Sequence, residues 1–233
     1  MWSGPRNLST ALMRAFGNRP ECVVVDEPLY SFYLSQTGLD HPGRDEVIAS
    51  MPPDWETVVA TLTTGELSSG HTEQYQKHMT HHLLPQVDRA RLDGLRHAFL
   101  IRDPDLVLAS YSAVRHQPTM QDLGWPQQVE LFEAFGGPVI DAADLLAAPE
   151  AMLRALCQAL DLPFRNEMLT WAPGPRASDG IWARHWYSTV ESSTGFRHSC
   201  DRPVEIPAHL KGLADNCRRY YDVLVEHKIV VGS

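Results

Sequence analysis

Three short apolar runs, each leading through a polar turn into a helical pattern, constrain this chain more than any other feature. They lie at residues 22–25, 97–101 and 139–141. Runs of this length, rich in Val, Ile and Phe, read as strands buried on both faces. Alternation of such strands with helices builds βα units around a parallel sheet, which takes its ligands at the carboxyl ends of the strands. Helices are expected at residues 9–16, at about 55–62, at 73–84 up to Pro85, and from Pro104 to about 115. Others are expected at 126–135, 149–160 and 207–228. Residues 173–203, rich in Gly, Ser and aromatics, read as an ordered loop. With no repeat, low-complexity tract or linker, residues 1–233 read as one domain: a three-layer α/β fold with a central parallel sheet flanked by helices.

The first helix opens on an unusual turn. Pro5, Arg6, Asn7, Leu8, Ser9 and Thr10 bring a cation, an amide and two hydroxyls to a helix start. Backbone N–H groups there lack partners and carry partial positive charge, which suits phosphate or sulfate. The NTPase pattern GxxxxGK[ST] is absent, because no Gly-Lys pair occurs in this stretch. The plain alternative is that Ser9 or Thr10 only caps the helix. A cradle of this kind normally follows a first strand, and only Met1 and Trp2 stand ahead of it. Either that strand is vestigial or the natural chain starts further upstream.

Arg102 stands at the end of the clearest strand, with Ser110 eight residues on. A guanidinium fork and a hydroxyl there suit a second phosphate, although Arg102 could instead pair with Asp103 or Asp105. Two anion sites at neighbouring strand ends fit a ligand with phosphates at both ends. Asp26 and Glu27 follow the 22–25 strand and compete as general base. Lys77, His78, His81 and His82 are expected on one helix, with the three histidines near one another. The carboxylate or cysteine spacing of a zinc site does not accompany them. Trp182, His185, Trp186 and Tyr187 could close over a ligand or fold a loop onto the core, with Arg184 and Arg197 as further phosphate contacts.

The charge of −9 weighs against non-specific nucleic-acid binding, which needs clustered Lys and Arg. Four separated cysteines without a CxxC, no signal-peptide pattern and no membrane-length apolar run together favour a reduced, cytoplasmic protein without membrane partners.

The segment PRNLSTALMRAF resembles the 5′-phosphosulfate loop of sulfotransferases, particularly the PRSGTT-type loop of Golgi and tyrosylprotein enzymes. FLIRDPDLVLASY resembles their 3′-phosphate motif, and IDAADLLAAPEAMLRALCQALDLPF a later stretch that they share. DEPLY and WARHWYSTVESSTGF are similar to a bacterial and plant branch whose members are sometimes labelled by a neighbouring aminotransferase. The resemblance covers nearly the whole chain. It implies a P-loop-like fold and metal-free, in-line sulfonate transfer from 3′-phosphoadenosine 5′-phosphosulfate to a hydroxyl, phenol or amine. The acceptor would be a small molecule or a peptide. Arg6 would hold the phosphosulfate and stabilise the leaving group, helped by Asn7, Leu8, Ser9 and Thr10. Arg102 and Ser110 would take the 3′-phosphate and Glu27 the acceptor proton. Lys77 or a histidine would be a second cation or base, with His81, His82 and Trp186 on the acceptor side. The family carries glycine where this chain has Leu8, so backbone approach is expected to be less permissive. Two rivals remain: an ATP-dependent small-molecule kinase, which needs a lysine and a hydroxyl for Mg²⁺ and the terminal phosphates, and a nucleotide-binding protein without catalysis.

Overall fold

A strand of two residues occupies the middle of the sheet, and Trp2 accounts for how it can. In the computed structural model, which describes residues 1–68, 70–113, 117–197 and 205–232, β1 (Trp2–Ser3) lies between β3 (Glu73–Met79) and β4 (Phe99–Ile101). Trp2 faces His78 on one side and Phe99 on the other. Its indole N–H donates to His97 Nδ1 at 2.9 Å, and its ring stacks on His78 with centroids 4.3 Å apart. At 1% exposure the side chain is fully enclosed.

The edge strands are β2 (Cys22–Asp26) and β5 (Val139–Asp141). The order β2-β3-β1-β4-β5 is parallel throughout. Helices α1 (Ser9–Gly17), α2 (Tyr30–Thr37), α3 (Arg44–Ser50) and α4 (Trp55–Thr64) precede β3. Between β4 and β5 come α5 (Pro104–Ser112), α6 (Met120–Leu123) and α7 (Trp125–Phe135). After β5 follow α8 (Ala142–Ala147), α9 (Pro149–Ala159), α10 (Ala183–Trp186), α11 (Ser188–Glu191) and α12 (Lys211–Val225).

Strand side chains alternate between two cores, as the pleat requires. Leu100 and Ile140 join α1, α2 and α9 on one face. Phe99, Ile101 and Val139 join α4, α5, α7 and α12 on the other. The expected three-layer α/β architecture is therefore the one observed.

The helix expected at residues 73–84 is not formed. Residues 73–79 are β3 and residues 80–82 a single 3₁₀ turn. This strand is the second from the edge, yet it reads Glu-Gln-Tyr-Gln-Lys-His-Met, and its last five residues are buried. Its polar side chains are satisfied by distant partners that local periodicity cannot reveal. Gln76 Nε2 donates to Leu62 O at 2.9 Å, His78 stacks on Trp2, and Lys77 enters an ion cluster described below. His78 therefore points away from His81 and His82 instead of sharing a helix face with them. The segment expected as loop at 173–203 carries α10 and α11, and its residues 198–203 lie outside the described residues. The last helix starts at Lys211, after a 3₁₀ turn over residues 208–210. The three described cysteines, Cys22, Cys157 and Cys217, are free and buried; Cys200 is outside the described residues. No described helix is long and apolar enough to cross a membrane.

Trp2→Ala should remove about 3–5 kcal/mol of stability, as for other buried aromatics cut to alanine. Urea titration checks this, and a loss near zero would mean that the central short strand is not held by its indole.

Candidate active site

All five parallel strands end on the same edge, and the site is built there from the loops that follow them. After β1 the chain leaves through Gly4, where an added Cβ would come within 2.7 Å of Leu123 O, so no larger residue fits. Arg6 and Leu8 then adopt the left-handed region, with φ of 63° and 66°. Leu8 itself caps α1, and no side chain caps the helix. Ser9 and Thr10 thus lie inside the first turn with hydroxyls not used as caps, against the plain reading of the sequence. Leu8 takes the left-handed conformation that a glycine adopts freely, at a cost of about 1–2 kcal/mol. Its side chain packs against the apolar core. Asn7 is buried and donates from Nδ2 to Leu100 O at 3.2 Å, which ties the loop to β4.

The two sequence motifs meet directly. Arg6 Nε donates to Ser110 Oγ at 2.9 Å, and Arg102 Nη1 donates to the backbone oxygen of Arg6 at 2.7 Å. Asp103, a rival partner for Arg102, is instead bound by Arg218 at 2.7 and 2.9 Å and also caps α5 through Asp105 N. Among the described residues neither Arg6 nor Arg102 forms an ion pair. Burial pulls both guanidiniums below the ordinary arginine range, and the Arg6 charge adds to this for Arg102. Two neighbouring cations without a carboxylate partner favour an anion between them.

At the end of β2 the two acidic candidates separate. Asp26 has both oxygens occupied: Oδ1 accepts from Lys77 Nζ at 2.9 Å, and Oδ2 accepts from Gly180 N at 3.1 Å and from Tyr187 Oη at 2.7 Å. Glu27, with φ of 41°, turns its carboxylate into the cleft. Lys77 Nζ lies 2.5 Å from Glu27 Oε1, whereas Oε2 accepts no hydrogen bond among the described residues and has His82 Nδ1 at 3.9 Å. Burial raises the Glu27 carboxyl above the usual range; the Asp26 charge adds to this and Lys77 opposes it. Burial would lower the Lys77 ammonium, but Asp26 and Glu27 outweigh it and hold Lys77 well above its ordinary value.

His81 and His82 are buried beside this cluster. Tyr30 stacks on His82, with centroids 4.5 Å apart and planes 8° from parallel. Burial drives His81 down to about 3 and His82 well below the ordinary histidine value. Both rings are therefore neutral near pH 7. No described group of three or more His, Cys, Asp or Glu side chains is arranged to hold a metal ion.

One cleft of about 520 Å³ is lined by Arg6, Asn7, Leu8, Ser9, Thr10, Glu27, Lys77, His81, His82, Arg102, Ser110 and Trp186. Arg197 also reaches this cleft. Arg184 does not line it but pairs with Glu46 on the surface, and His185 lies beside Arg184. Trp182 is buried and donates to Tyr187 Oη at 3.2 Å. Sequence reasoning missed Tyr30 and His41 as lining residues, and Tyr187 as the hydroxyl linking Asp26 to Lys77 at 2.7 Å. Tyr187 lies 110 residues from Lys77, and no local pattern marks that partnership.

A family model described as "Sulfotransferase domain" matches residues 1–210. Two curated relatives from Arabidopsis thaliana, named "Branched-chain-amino-acid aminotransferase-like protein 1" and "2", are 38% and 36% identical over 231 residues. The match covers 97% of this chain and 41% of each relative, so the chain spans about two fifths of their length. Among solved structures, the "Sulfotransferase Domain from the Curacin Biosynthetic Pathway" aligns with a TM-score of 0.59 at 15% identity, covering 98% of this chain and 97% of that one. The "Sulfotransferase Domain from the Synechococcus PCC 7002 Olefin Synthase" gives 0.51 at 16% identity, covering 96% and 92%. At these identities the structures speak to the fold, which they share with this chain. The match of the family model over most of the sequence carries the assignment: the chain belongs to the sulfotransferase domain family.

Proposed function

We propose that residues 1–233 act as one sulfotransferase domain, which moves a sulfonate group from 3′-phosphoadenosine 5′-phosphosulfate to a hydroxyl, phenol or amine. The observation that carries this reading is the junction of Arg102 with the Arg6 carbonyl and of Arg6 with Ser110, in one cleft with the open oxygen of Glu27. β4 and β2 are three strand positions apart in the sheet, which is roughly 14 Å at about 4.8 Å per step. That span separates Glu27, after β2, from the 3′-phosphate of a doubly phosphorylated adenosine at Arg102 and Ser110, with the loop after β1 between them. The 5′ end then meets Arg6 and the first turn of α1.

Transfer needs one bond made and one broken. The acceptor oxygen or nitrogen bonds to sulfur as the bond from sulfur to the phosphate oxygen breaks, releasing 3′,5′-adenosine bisphosphate. Arg6, the helix N-terminus and the Ser9 and Thr10 hydroxyls stabilise negative charge growing on the leaving phosphate, without a metal. Glu27 Oε2 takes the acceptor proton. Lys77 keeps the other oxygen of Glu27 engaged and so turns Oε2 toward the cleft. The Gly-Lys-Ser/Thr of a kinase is absent, and Arg6 takes the cationic place in the loop.

The decisive experiment is calorimetric titration with 3′,5′-adenosine bisphosphate and, separately, with ATP and magnesium. The bisphosphate should bind without metal, and preference for magnesium-ATP would overturn the reading in favour of a kinase. Arg102→Ala should weaken bisphosphate binding about 10- to 100-fold, the worth of a charge-assisted hydrogen bond.

Glu27→Gln should lower kcat by about 10²- to 10⁴-fold while leaving bisphosphate affinity unchanged. The base must be ionised to accept a proton, so activity should rise with pH through the Glu27 pKa. Because that pKa is raised, the acid limb should lie above the ordinary Glu value of about 4.3 and vanish in Glu27→Gln. An acid limb unchanged in this variant would remove Glu27 from the role.

A further inference from the structure

At the β2 end of the cleft the buried His82 Nδ1 and His81 Nδ1 have no hydrogen-bond partner among the described residues, and Glu27 Oε2 beside them accepts no hydrogen bond. Glu27, His81 and His82 are 8%, 6% and 2% exposed, and all three residues line the cleft. Leaving such groups unpaired is costly, by about 1–3 kcal/mol each, so a ligand that satisfies them gains that much in selectivity. The 3.9 Å between Glu27 Oε2 and His82 Nδ1 is too long for a direct hydrogen bond and admits a ligand oxygen. The adjoining His81 and His82 rings, 4.4 Å apart, set a second unpaired nitrogen beside the first. One hydroxyl bridges Glu27 and His82 but leaves His81 unsatisfied, whereas two neighbouring hydroxyls serve all three.

Charge narrows the ligand further. The three N–H groups of Lys77 are already taken by Asp26, Glu27 and Tyr187. Both histidines are neutral, and Arg6 and Arg102 stand after β1 and β4, away from this end. Two carboxylates, Asp26 and Glu27, share the single ammonium of Lys77, so one net negative charge remains and an anionic acceptor is repelled. The walls are aromatic: Tyr30 stacked on His82, Tyr187, and Trp186 partly exposed to the cleft. Flat apolar rings of this kind suit an aromatic guest.

We propose that Glu27, His82 and His81 form a two-point acceptor subsite for an aromatic compound that carries no anionic group and has hydroxyls on neighbouring ring carbons, one of which is sulfonated. This rests on the sulfotransferase reading for the transfer step but not for the binding step. The reacting hydroxyl gives its proton to Glu27 Oε2, and the second hydroxyl is held by the histidine pair. His81 and His82 thereby determine specificity, and Glu27 remains the base.

The test is titration of the whole chain with catechol, phenol and 4-hydroxybenzoate, with and without saturating 3′,5′-adenosine bisphosphate. Catechol should bind about tenfold more tightly than phenol, and 4-hydroxybenzoate more weakly than phenol. His82→Phe keeps a ring stacked on Tyr30 and removes the nitrogens; it should cut the catechol preference to about that of phenol while leaving bisphosphate affinity intact. His81→Phe should act in the same direction, and His82→Asn, which restores a polar group, should recover part of the preference. Equal binding of catechol and phenol by the unaltered chain would overturn the inference, as would equal losses for both probes in correctly folded variants. Failure of the bisphosphate to bind would instead count against the sulfotransferase reading, since catechol selectivity is read without nucleotide as well.

Discussion

A lysine ammonium enclosed among two carboxylates and a phenol is the interaction on which the site depends. Lys77 is 1% exposed, and each of its three donors has an acceptor: Asp26, Glu27 and Tyr187. Taking such charges out of water costs several kcal/mol per ion, and the attraction offsets this only when every partner is in place. The cluster links β2, β3 and the late segment around α10 and α11, and Gly180 N and Trp182 Nε1 extend it on the side of that segment. One consequence bears on chemistry. Asp26 and one oxygen of Glu27 are fully engaged, which leaves a single carboxylate oxygen open to the cleft.

The opposite end of the cleft is held by backbone conformation. Arg6, Leu8 and Glu27 are three of the four described non-glycine residues in the left-handed region, and all three line the cleft. Strain of this sort persists where the surroundings over-determine it. Here the determinants are Asn7 bound to Leu100 O, Arg102 bound to Arg6 O, and Leu8 packed on the core. These contacts fix the first turn of α1 with its hydroxyls facing the cleft, a geometry that a glycine-rich loop would reach without strain but with less restraint.

Much of the architecture could be read from local pattern. Phe99 to Ile101 and Val139 to Asp141 are short apolar strands followed by helices, and Pro104 and Pro149 mark helix starts by their fixed φ and missing N–H. The turn before α1 and the Arg102–Ser110 segment were also readable as parts of one site, and they meet in one cleft. β3 was not readable: its Gln, Lys and His are buried in a near-central strand, against both hydrophobic pattern and propensity. With that strand misread as a helix, His78 was grouped with His81 and His82, although its ring stacks on Trp2 in the other core.

The amino-acid order alone indicated the parallel α/β class and several helix starts, such as those at Pro104 and Pro149, because each depends on neighbours a few positions away. It did not decide between Asp26 and Glu27, nor give Tyr187, Tyr30 and His41 their places. Adjacent carboxylates differ only in what surrounds them, and that surrounding is assembled from segments 50 to 160 residues apart. Only packing selects which oxygen is left without a partner, because desolvation and hydrogen-bond completion are properties of the assembled interior.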